Sequence, residues 1–438
     1  MKSWINRATN WYQSVFNRLP AASPVATSRR VNTQVQPMLS NDNYDSYLPF
    51  SGLFRTQTGN LALMPTTEDE SAYLPSEQLD TGSLPVVNLT PPKLDDNYLG
   101  QQIDCYRPMR DGSPNMSIEF IGDQVIAHNY GHGGSGWTIG PGCADYVIKQ
   151  MQAEKKINFK HDSKISVIGA GVIGLMTAYY LLKEGYYNIE IIAADFEHLA
   201  SHNAGGLLAP VSMNNDPKGQ ELVEKMCVNS YRFYQQIVDK RNDDFNKLPK
   251  TGVKVVPVYF QNKQEAALES LVDAKLMKPS RDVIVDFGNG AQYKMVEFLD
   301  GIFIDTYEVM YSLHLILEEK NIKFTKKQLQ SFGEVDSTFI FNCAGMGAQE
   351  LNNDKNMRSV QGHLCMLKQQ TPLDYMILIY LGEDENNLGQ KRKKSVYYMP
   401  KSSGVIGGTF IEDADSQTPN EEEFDQLISN ARLFFGRS

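Results

Sequence analysis

Lys164-Ile-Ser-Val-Ile-Gly-Ala-Gly-Val-Ile-Gly174 is the stretch that decides the fold of this 438-residue chain. A short apolar run enters a Gly-x-Gly-x-x-Gly turn, and the apolar stretch Leu175–Lys183 follows directly. This order predicts a strand, a tight turn and a helix. Gly169 permits the turn, Gly171 lets backbone approach a pyrophosphate, and Gly174 lets the helix pack closely on the strand. Because the N–H groups of a helix start attract phosphate, the stretch predicts a dinucleotide site.

The residues after this turn extend the same prediction. Ile189–Ala194 reads as a second strand, and Asp195 ends it 21 residues after Gly174. A carboxylate that binds a ribose hydroxyl is expected at about this distance. Ser201–Pro210 is then rich in small residues, where an NAD domain would continue into another crossover. A small-residue segment can run beside a long flavin nucleotide, so it favours FAD. The alternative is a glycine-tolerant turn in an unrelated α/β unit.

The amino-acid composition limits the classes of protein to which this chain can belong. Hydrophobic residues make up 41% and charged residues 21% of the chain, as in ordinary soluble proteins. The net charge of −10 does not favour nucleic acid as a partner. Five scattered cysteines without CxxC spacing indicate free thiols, so a reducing, cytoplasmic location is expected. His128 and His132 are separated by glycine-rich sequence unsuited to a helical ligand pair, and no metal is predicted.

The N-terminal region differs from the rest of the chain. Five basic residues precede the first acidic residue, Asp42, and Pro20 follows a stripe of apolar residues at helical spacing: Trp4, Ile5, Ala8, Trp11, Tyr12, Val15, Phe16 and Leu19. The pattern predicts a basic amphipathic helix over residues 1–20. Such a helix suits a mitochondrial transit peptide or a membrane-surface contact, and equally a helix docked on its own protein. Residues 20–95 read as a polar linker.

A second glycine-rich loop lies upstream of the dinucleotide turn. Tyr130-Gly-His-Gly-Gly-Ser-Gly-Trp137 contains four glycines in eight residues. A strand is predicted before it over Gln124–Tyr130, and a helix after it over Pro141–Gln152, with Pro141 in the first turn. A backbone this bare can approach a flat ring edge-on and offer N–H groups to developing negative charge.

Six motifs together resemble the D-amino-acid oxidase family of FAD enzymes. They are Val167–Leu175, Asn203–Pro210, Phe341–Gly345, Tyr397–Pro400 followed by Val405–Gly408, Cys105–Arg110, and His128–Thr138. The resemblance covers about residues 98–155 and 163–435. It implies an α/β fold in which a Rossmann-type FAD-binding domain is interleaved with a mixed or antiparallel substrate-binding sheet. Residues 1–95 have no counterpart in it.

The order of these motifs departs from the family. In the family the arginine segment and the glycine loop come last, whereas here they come first, so the chain is expected to be circularly permuted. Permutation is tolerated where chain ends within a domain lie close together. The expected FAD-binding domain comprises residues 96–215, 322–350 and 420–438, and the expected substrate-binding domain residues 216–321 and 351–419. The alternative is chance similarity of one glycine-rich loop.

The resemblance also implies which residues form the site. Arg107 would pair with the carboxylate of an amino acid, Tyr397 would be a second carboxylate contact, and the Gly134 carbonyl would hold the amine. The guanidinium fork suits a planar carboxylate. The implied FAD contacts are Gly133, Gly134, Ser135, Gly136, Trp137, Thr138, Gly169, Gly171, Val172, Ile173, Gly174, Asp195, Ser201, Gly205, Gly206, Leu207 and Leu329. For Arg107 a surface ion pair and for Tyr397 simple sheet packing are the alternatives.

The implied reaction is oxidative deamination. Hydride moves from the substrate Cα to flavin N5, the imino acid hydrolyses to a 2-oxo acid and ammonia, and molecular oxygen becomes hydrogen peroxide. Two alternatives stay open: a glycine-, sarcosine- or proline-type FAD dehydrogenase, and a non-catalytic flavoprotein that serves as a binding module.

Two departures from the family bear on the substrate and on retained activity. Lys393 stands where relatives usually have a tyrosine, and Gln361 stands where they often have arginine. The basic run Lys391–Lys394 suits either an acidic substrate or a solvated hairpin. The sequence leaves the oligomeric state open.

Overall fold

The computed structural model describes residues 84–210, 217–263, 268–386, 389–412 and 421–436. The predicted N-terminal amphipathic helix and most of the predicted linker lie outside these residues. The strands in chain order are β1 Val86–Asn88, β2 Leu99–Arg110, β3 Ile118–Ile121, β4 Gln124–His128, β5 Ile165–Ile168, β6 Ile189–Ala193, β7 Val253–Phe260, β8 Arg281–Asp286, β9 Gln292–Ile304, β10 Lys323–Lys326, β11 Phe339–Asn342, β12 Met357–Leu367, β13 Met376–Glu385, β14 Lys391–Met399 and β15 Val405–Glu412. The helices are α1 Gly136–Ala153, α2 Val172–Lys183, α3 Pro217–Val238, α4 Asp243–Asn246, α5 Glu269–Asp273, α6 Thr306–Glu319, α7 Ala348–Leu351 and α8 Glu421–Phe435.

One sheet contains the predicted dinucleotide turn. Within the described residues it has six strands in the order β10-β6-β5-β11-β4-β3, and only β3 runs antiparallel to its neighbour. Every residue of β5 and β11 is buried, as expected for parallel strands covered on both faces. The strand–turn–helix predicted around Gly169 is confirmed, since β5 leads into α2 and β6 follows.

The second sheet is mixed, as predicted. Its nine strands among the described residues follow the order β1-β8-β9-β7-β13-β14-β15-β12-β2. The pairs β1–β8 and β7–β13 are parallel and the others antiparallel. The Tyr397 segment, on β14, pairs with the Val405 segment, on β15, as the resemblance to the family implies, with Tyr397 opposite Gly407. A large core that includes residues of both sheets packs against one face, and a second core lies under α8 on the other.

The domain boundaries need a correction at two segments. The sequence-based division placed residues 96–110 and the C-terminal helix with the dinucleotide-binding part. In the structure β2 forms a long antiparallel ladder with β12, and α8 buries Leu427 and Phe435 against the nine-stranded sheet. β1 joins the same sheet from within the stretch interpreted as linker. The apolar face of a helix predicts that the helix packs against a core, but it does not identify the sheet against which it packs.

Helix α1 begins earlier than predicted, at Gly136, so Pro141 lies inside it. A proline has no N–H to donate to the carbonyl four residues before it. That carbonyl belongs to Trp137, and it accepts a hydrogen bond from the Tyr234 hydroxyl of α3 instead (2.8 Å). A neighbouring helix thus satisfies the group that proline leaves free.

The glycine loop and the dinucleotide turn follow two strands of the same sheet, β4 and β5, which are separated by β11. β4 precedes the glycine loop and lies parallel to β11, which lies parallel to β5 on its other side. The circular permutation itself stays a prediction. Among the described residues, no helix combines the length and apolarity that crossing a membrane requires.

Candidate functional site

The dinucleotide turn tolerates no side chain at two of its glycines. Gly169 has φ +101°, and a Cβ atom there would lie 2.4 Å from the Cys343 carbonyl oxygen. A Cβ at Gly174 would lie 1.9 Å from the Gly169 carbonyl oxygen. The turn therefore depends on glycine at both positions, as the motif predicts.

Gly171 lies at the start of α2 beside the small-residue segment. A Cβ at Gly171 would come within 3.1 Å of the Ser201 Oγ, and that hydroxyl accepts a hydrogen bond from the Val172 N–H (2.9 Å). Gly171 is the N-cap residue of α2, and glycine has no side chain that could cap the helix. The helix start, including Ile173 in its first turn, thus offers backbone groups and a serine hydroxyl to an anion.

The glycine loop meets the small-residue segment through two side chains of α1. The Trp137 Nε1–H donates to the Ser201 carbonyl (2.9 Å), and the Thr138 hydroxyl donates to the Ala209 carbonyl (2.8 Å). A Cβ at Gly136 would lie 3.6 Å from the Val172 side chain, in ordinary contact. Three segments that are distant in sequence therefore converge at the start of α2.

His132 is a buried histidine of the glycine loop. Its side chain is 3% exposed, and its Nε2 has no hydrogen-bond partner within the described part of the chain. Burial lowers the pKa of His132 to about 3, so the ring is neutral at physiological pH. The Gly133–Ser135 turn follows with Gly133 at φ +55°, and Gly134 is its exposed residue.

Asp195 and Leu329 lie beyond the carboxyl ends of their strands, where ligands bind in open α/β sheets. Asp195 follows β6 and is exposed, and its Oδ1 pairs with the Lys326 ammonium at 3.1 Å. The hydrogen bond from Lys326 lowers the pKa of Asp195. Leu329 follows β10 and packs on a small core that contains Ile168 and Ile192.

Gly205, Gly206 and Leu207 carry the small-residue segment from one sheet to the other. Gly206 has φ +97°, and a Cβ there would lie 2.0 Å from the Ile304 carbonyl oxygen. Leu207 forms an antiparallel bridge with Phe303 of β9. A Cβ at Gly205 would lie 3.4 Å from the Tyr397 ring. The predicted cofactor segment therefore touches the predicted substrate tyrosine.

Arg107 extends from β2 over the neighbouring strands. Its Nη1 donates to the carbonyls of Gln361 (3.4 Å) and Thr409 (3.3 Å), and its guanidinium lies 5.5 Å from the centre of the Phe410 ring. A Cβ at Gly362 would lie 2.6 Å from the same Nη1. No carboxylate of the described residues forms an ion pair with it, so the surface ion pair considered as an alternative is not found.

Tyr397 lies on β14 within the electrostatic reach of Arg107. Burial raises the pKa of the Tyr397 hydroxyl well above its ordinary value, and the nearby Arg107 charge opposes this only in part. The hydroxyl is therefore protonated and can donate. Cys105 of β2 belongs to the same neighbourhood, and burial raises the pKa of its thiol.

Lys393 and Gln361, the two departures from the family, both lie near Arg107. The Lys393 ammonium is 5.8 Å from the centre of the Phe410 ring that Arg107 also covers, and 3.5 Å from a Glu383 oxygen. Burial lowers the pKa of Lys393. Gln361 is buried, and its Nε2 donates to the Tyr106 hydroxyl (3.0 Å).

Three residues of this region were missed by sequence reasoning. Gly362 makes room for the Arg107 side chain, and Gly407 makes room for the Tyr397 side chain. A glycine inside a predicted strand indicates a close approach of another group, so the sequence contained a signal for both residues. Lys401 is a buried lysine directly after the tyrosine strand. Its burial depends on partners from distant segments, so the sequence contains no comparable signal.

Comparisons with known proteins agree with these motifs. A family model described as FAD dependent oxidoreductase matches residues 164–437. The D-amino-acid oxidase of Dictyostelium discoideum is 25% identical over 280 residues, which cover 62% of this chain and 72% of that protein. The D-amino-acid oxidase of Streptomyces coelicolor is 22% identical over 270 residues, covering 61% and 77% respectively.

Solved structures of similar proteins include two further activities. Glycine oxidase from Bacillus cereus aligns at 13% identity with a TM-score of 0.42, covering 62% of this chain and 78% of that one. L-proline dehydrogenase from P. horikoshii aligns at 14% identity with a TM-score of 0.42, covering 62% and 76%.

Proposed function

The chain belongs to the FAD-dependent oxidoreductase family, and from that premise we propose that it oxidatively deaminates an amino acid, a D-amino acid first among candidates, with molecular oxygen as acceptor. The family is FAD-dependent. Two relatives with D-amino-acid oxidase activity in their names support the choice of substrate class. The observation that carries the proposal is Arg107, a cation without a carboxylate partner among the described residues, whose charge acts on the buried Tyr397 hydroxyl.

The residues present fit FAD. The turn at Gly169 and Gly174 excludes side chains, and the start of α2 offers backbone N–H groups beside the Ser201 hydroxyl. His132 Nε2 is a buried polar atom that no described residue satisfies. Gly171 and Gly136 leave the adjoining backbone bare. FAD, when bound, supplies the acceptor for the substrate hydride.

Arg107 would bind the substrate carboxylate through its guanidinium fork. Two parallel charge-assisted hydrogen bonds fix both the position and the plane of a carboxylate. Its stacking on Phe410 and its bonds to two backbone carbonyls hold the guanidinium before substrate arrives. Preorganisation of this kind lowers the entropy lost on binding.

Tyr397 would donate its hydroxyl proton to the same carboxylate. Burial keeps this hydroxyl protonated, so it acts as a donor and not as a base. The exposed Gly134 in the glycine loop remains the proposed acceptor for the substrate amine through its carbonyl. A substrate held through both its carboxylate and its amine presents one face of its Cα atom to the cofactor. This orientation sets the near-attack geometry.

The experiment that tests the proposal is an anaerobic titration of the purified, FAD-loaded protein. D- and L-alanine, glycine, sarcosine and proline are added in turn while the visible flavin absorbance is recorded. We expect D-alanine to bleach the bands and readmitted oxygen to restore them, with hydrogen peroxide formed. Bleaching by glycine, sarcosine or proline without rapid reoxidation would favour a dehydrogenase. A yellow protein that no amino acid bleaches would overturn the enzymatic proposal.

The N-terminal region carries a separate proposal about location. A cytoplasmic location is proposed first, because the five scattered cysteines indicate free thiols. The basic amphipathic pattern over residues 1–20 supports the alternative, a mitochondrial or membrane-surface location. Deleting residues 1–30 and comparing sedimentation with anionic vesicles tests this. Unchanged co-sedimentation would refute a membrane contact through this stretch.

A further inference from the structure

Lys401 is a buried lysine at the end of the tyrosine strand. It lies two residues after β14, and only 2% of it is exposed. Its ammonium donates to the carbonyls of His202 (2.5 Å) and Ala204 (3.0 Å) and to the Thr306 hydroxyl oxygen (2.6 Å). An ammonium has three protons, and each has an acceptor here.

Two of the three acceptors, the His202 and Ala204 carbonyls, belong to the segment that crosses between the two sheets, and the third, Thr306, begins α6. His202 and Ala204 immediately precede Gly205, which touches the Tyr397 ring, and Gly206, which has φ +97°. Thr306 also donates its own hydroxyl proton to the His202 carbonyl (2.7 Å). One side chain from the substrate sheet therefore holds the backbone that leads into the predicted cofactor contacts.

The charged and titratable groups that face Lys401 are few. The Asp305 carboxylate raises the pKa of Lys401, but no described carboxylate forms an ion pair with its ammonium. The other facing groups are the Cys105 thiol, the His202 ring, and the Tyr307 ring, whose centre is 4.7 Å from Nζ. Burial lowers the pKa of Lys401 to about 8, the largest of these influences.

None of the other facing side chains is expected to change charge near pH 8. Burial lowers the pKa of His202 to about 4, so this ring is neutral. Burial raises the pKa of both the Cys105 thiol and the Tyr307 hydroxyl, so they stay protonated. Lys401 alone among these side chains loses a proton in this range, and a neutral amine has two protons for three acceptors.

We propose that Lys401 is a positioning residue that fixes the backbone between His202 and Ala204 and thereby holds Gly205 and Gly206 in place for FAD. The inference rests on the proposed function for the identity of the ligand. The local part, the ordering of residues 202–206 by the Lys401 ammonium, does not depend on a bound cofactor. Both parts can therefore be measured separately.

The first measurement is the FAD dissociation constant of the full-length protein between pH 7 and pH 9.5. As pH rises through about 8, loss of the third proton weakens the hold on the segment, so affinity is expected to fall several-fold. Lys401→Met is expected to bind FAD about tenfold or more weakly at pH 7 and to lack this pH dependence. Lys254→Met is the matched control, since Lys254 is a partly exposed lysine of the same sheet.

The second measurement is hydrogen exchange of the apo-protein, with protection factors corrected for the intrinsic rate at each pH. Residues 202–206 are expected to lose protection above pH 8 in the wild type and at every pH in Lys401→Met. Thr306→Val, which removes one acceptor, is expected to show a smaller loss. The wild-type pH series and Thr306→Val can still be measured even where Lys401→Met folds poorly.

The outcomes separate the two proposals. FAD affinity and protection that are retained in soluble Lys401→Met overturn the role of Lys401, and so does protection of residues 202–206 that is retained in Thr306→Val and flat across pH 8 in the wild type. A protein that binds no FAD at any pH but loses protection at residues 202–206 as expected supports the local role and overturns the proposed function instead.

Discussion

Gly407 makes room for Tyr397 across the β14–β15 pair. The two residues are opposite each other in register, and a Cβ atom at Gly407 would lie 2.3 Å from the Tyr397 hydroxyl oxygen. The tyrosine that we assign to substrate binding therefore owes its orientation to a residue that touches no substrate.

Replacing Gly407 with alanine should move the Tyr397 hydroxyl. A displacement of about 1 Å near reacting groups costs up to about 100-fold in rate, so we expect kcat/KM to fall about 10- to 100-fold while FAD stays bound. Steady-state kinetics and the flavin spectrum check this. Gly333→Ala is the control, because a Cβ there meets only ordinary contact at 3.7 Å. Unchanged kinetics in Gly407→Ala would argue against a role of Tyr397 in substrate binding.

Removing the Arg107 guanidinium should weaken substrate capture. Hydrogen bonds to charged groups contribute about 1.5–3 kcal/mol each, so Arg107→Ala is expected to lower kcat/KM about 100-fold or more, mainly through KM. Arg107→Lys keeps the positive charge but loses the guanidinium fork, so its kcat/KM should lie between those of the wild type and Arg107→Ala. Arg358→Ala on β12 is the matched control, since Arg358 pairs with Asp111 at the surface. Full turnover of a carboxylate substrate by Arg107→Ala would refute the assigned geometry.

Lys393 gives a prediction about the substrate side chain. Its ammonium already lies 3.5 Å from a Glu383 oxygen, and such a pair presents little net charge to a ligand. We therefore expect Lys393→Met to change the ratio of kcat/KM for D-aspartate over D-alanine by less than about threefold. Kinetics with both substrates measure the ratio. A fall of tenfold or more would instead support the interpretation of the basic run as a site for acidic side chains.

The buried histidines predict how stability depends on pH. Burial lowers the pKa of His132 to about 3 and that of His363 to about 4, below the ordinary histidine value of 6.5. The unfolded chain thus binds protons that the folded chain does not, so stability is complete above about pH 6.5 and is lost as pH falls toward 4. Each histidine contributes a slope of about 1.4 kcal/mol per pH unit in this window.

The variant His363→Gln isolates one of these slopes. It keeps a polar group able to reach the Thr409 hydroxyl, which His363 Nδ1 contacts at 2.8 Å, and it cannot titrate. Urea unfolding between pH 6.5 and pH 4.5 should show a shallower decline than in the wild type. Parallel declines would indicate that His363 is protonated in the folded protein.

The proposed circular permutation predicts that the chain can be reconnected. Arg432 in the last turn of α8 donates to the Leu94 carbonyl (2.8 Å), so the end of this helix lies beside the start of the arginine segment. A chain that begins at Ser163 and joins Gly436 to Leu94 by a short linker, ending at Glu154, is expected to fold and bind FAD. The same joining with the chain opened inside β11 is the control and should fail. Loss of FAD binding in the first design, to the same extent as in the control, would count against the permuted order.

Local chemistry determined which parts of this protein could be predicted from sequence. Gly169 and Gly174 act within one turn, so their spacing is sufficient, and the pairing of the Tyr397 and Val405 segments follows from two nearby strands. The start of α1 was missed because the Trp137 carbonyl that Pro141 leaves free is satisfied by Tyr234, a residue far along the chain. Lys401 was missed for the same reason, since its three acceptors come from two distant segments.

The position of β11 affects how the protein is made. Residues 118–193 supply β3, β4, β5 and β6 in succession, yet β11 must enter between β4 and β5. A chain leaving the ribosome therefore holds β3–β4 and β5–β6 as two separate parts, the second extended by β10 at β6, and each part keeps an open edge until Asn342 has been synthesised. Unpaired edges invite association with other chains. We expect the nascent protein to be most prone to aggregation during this interval, when the predicted dinucleotide turn already exists on a sheet that still lacks β11.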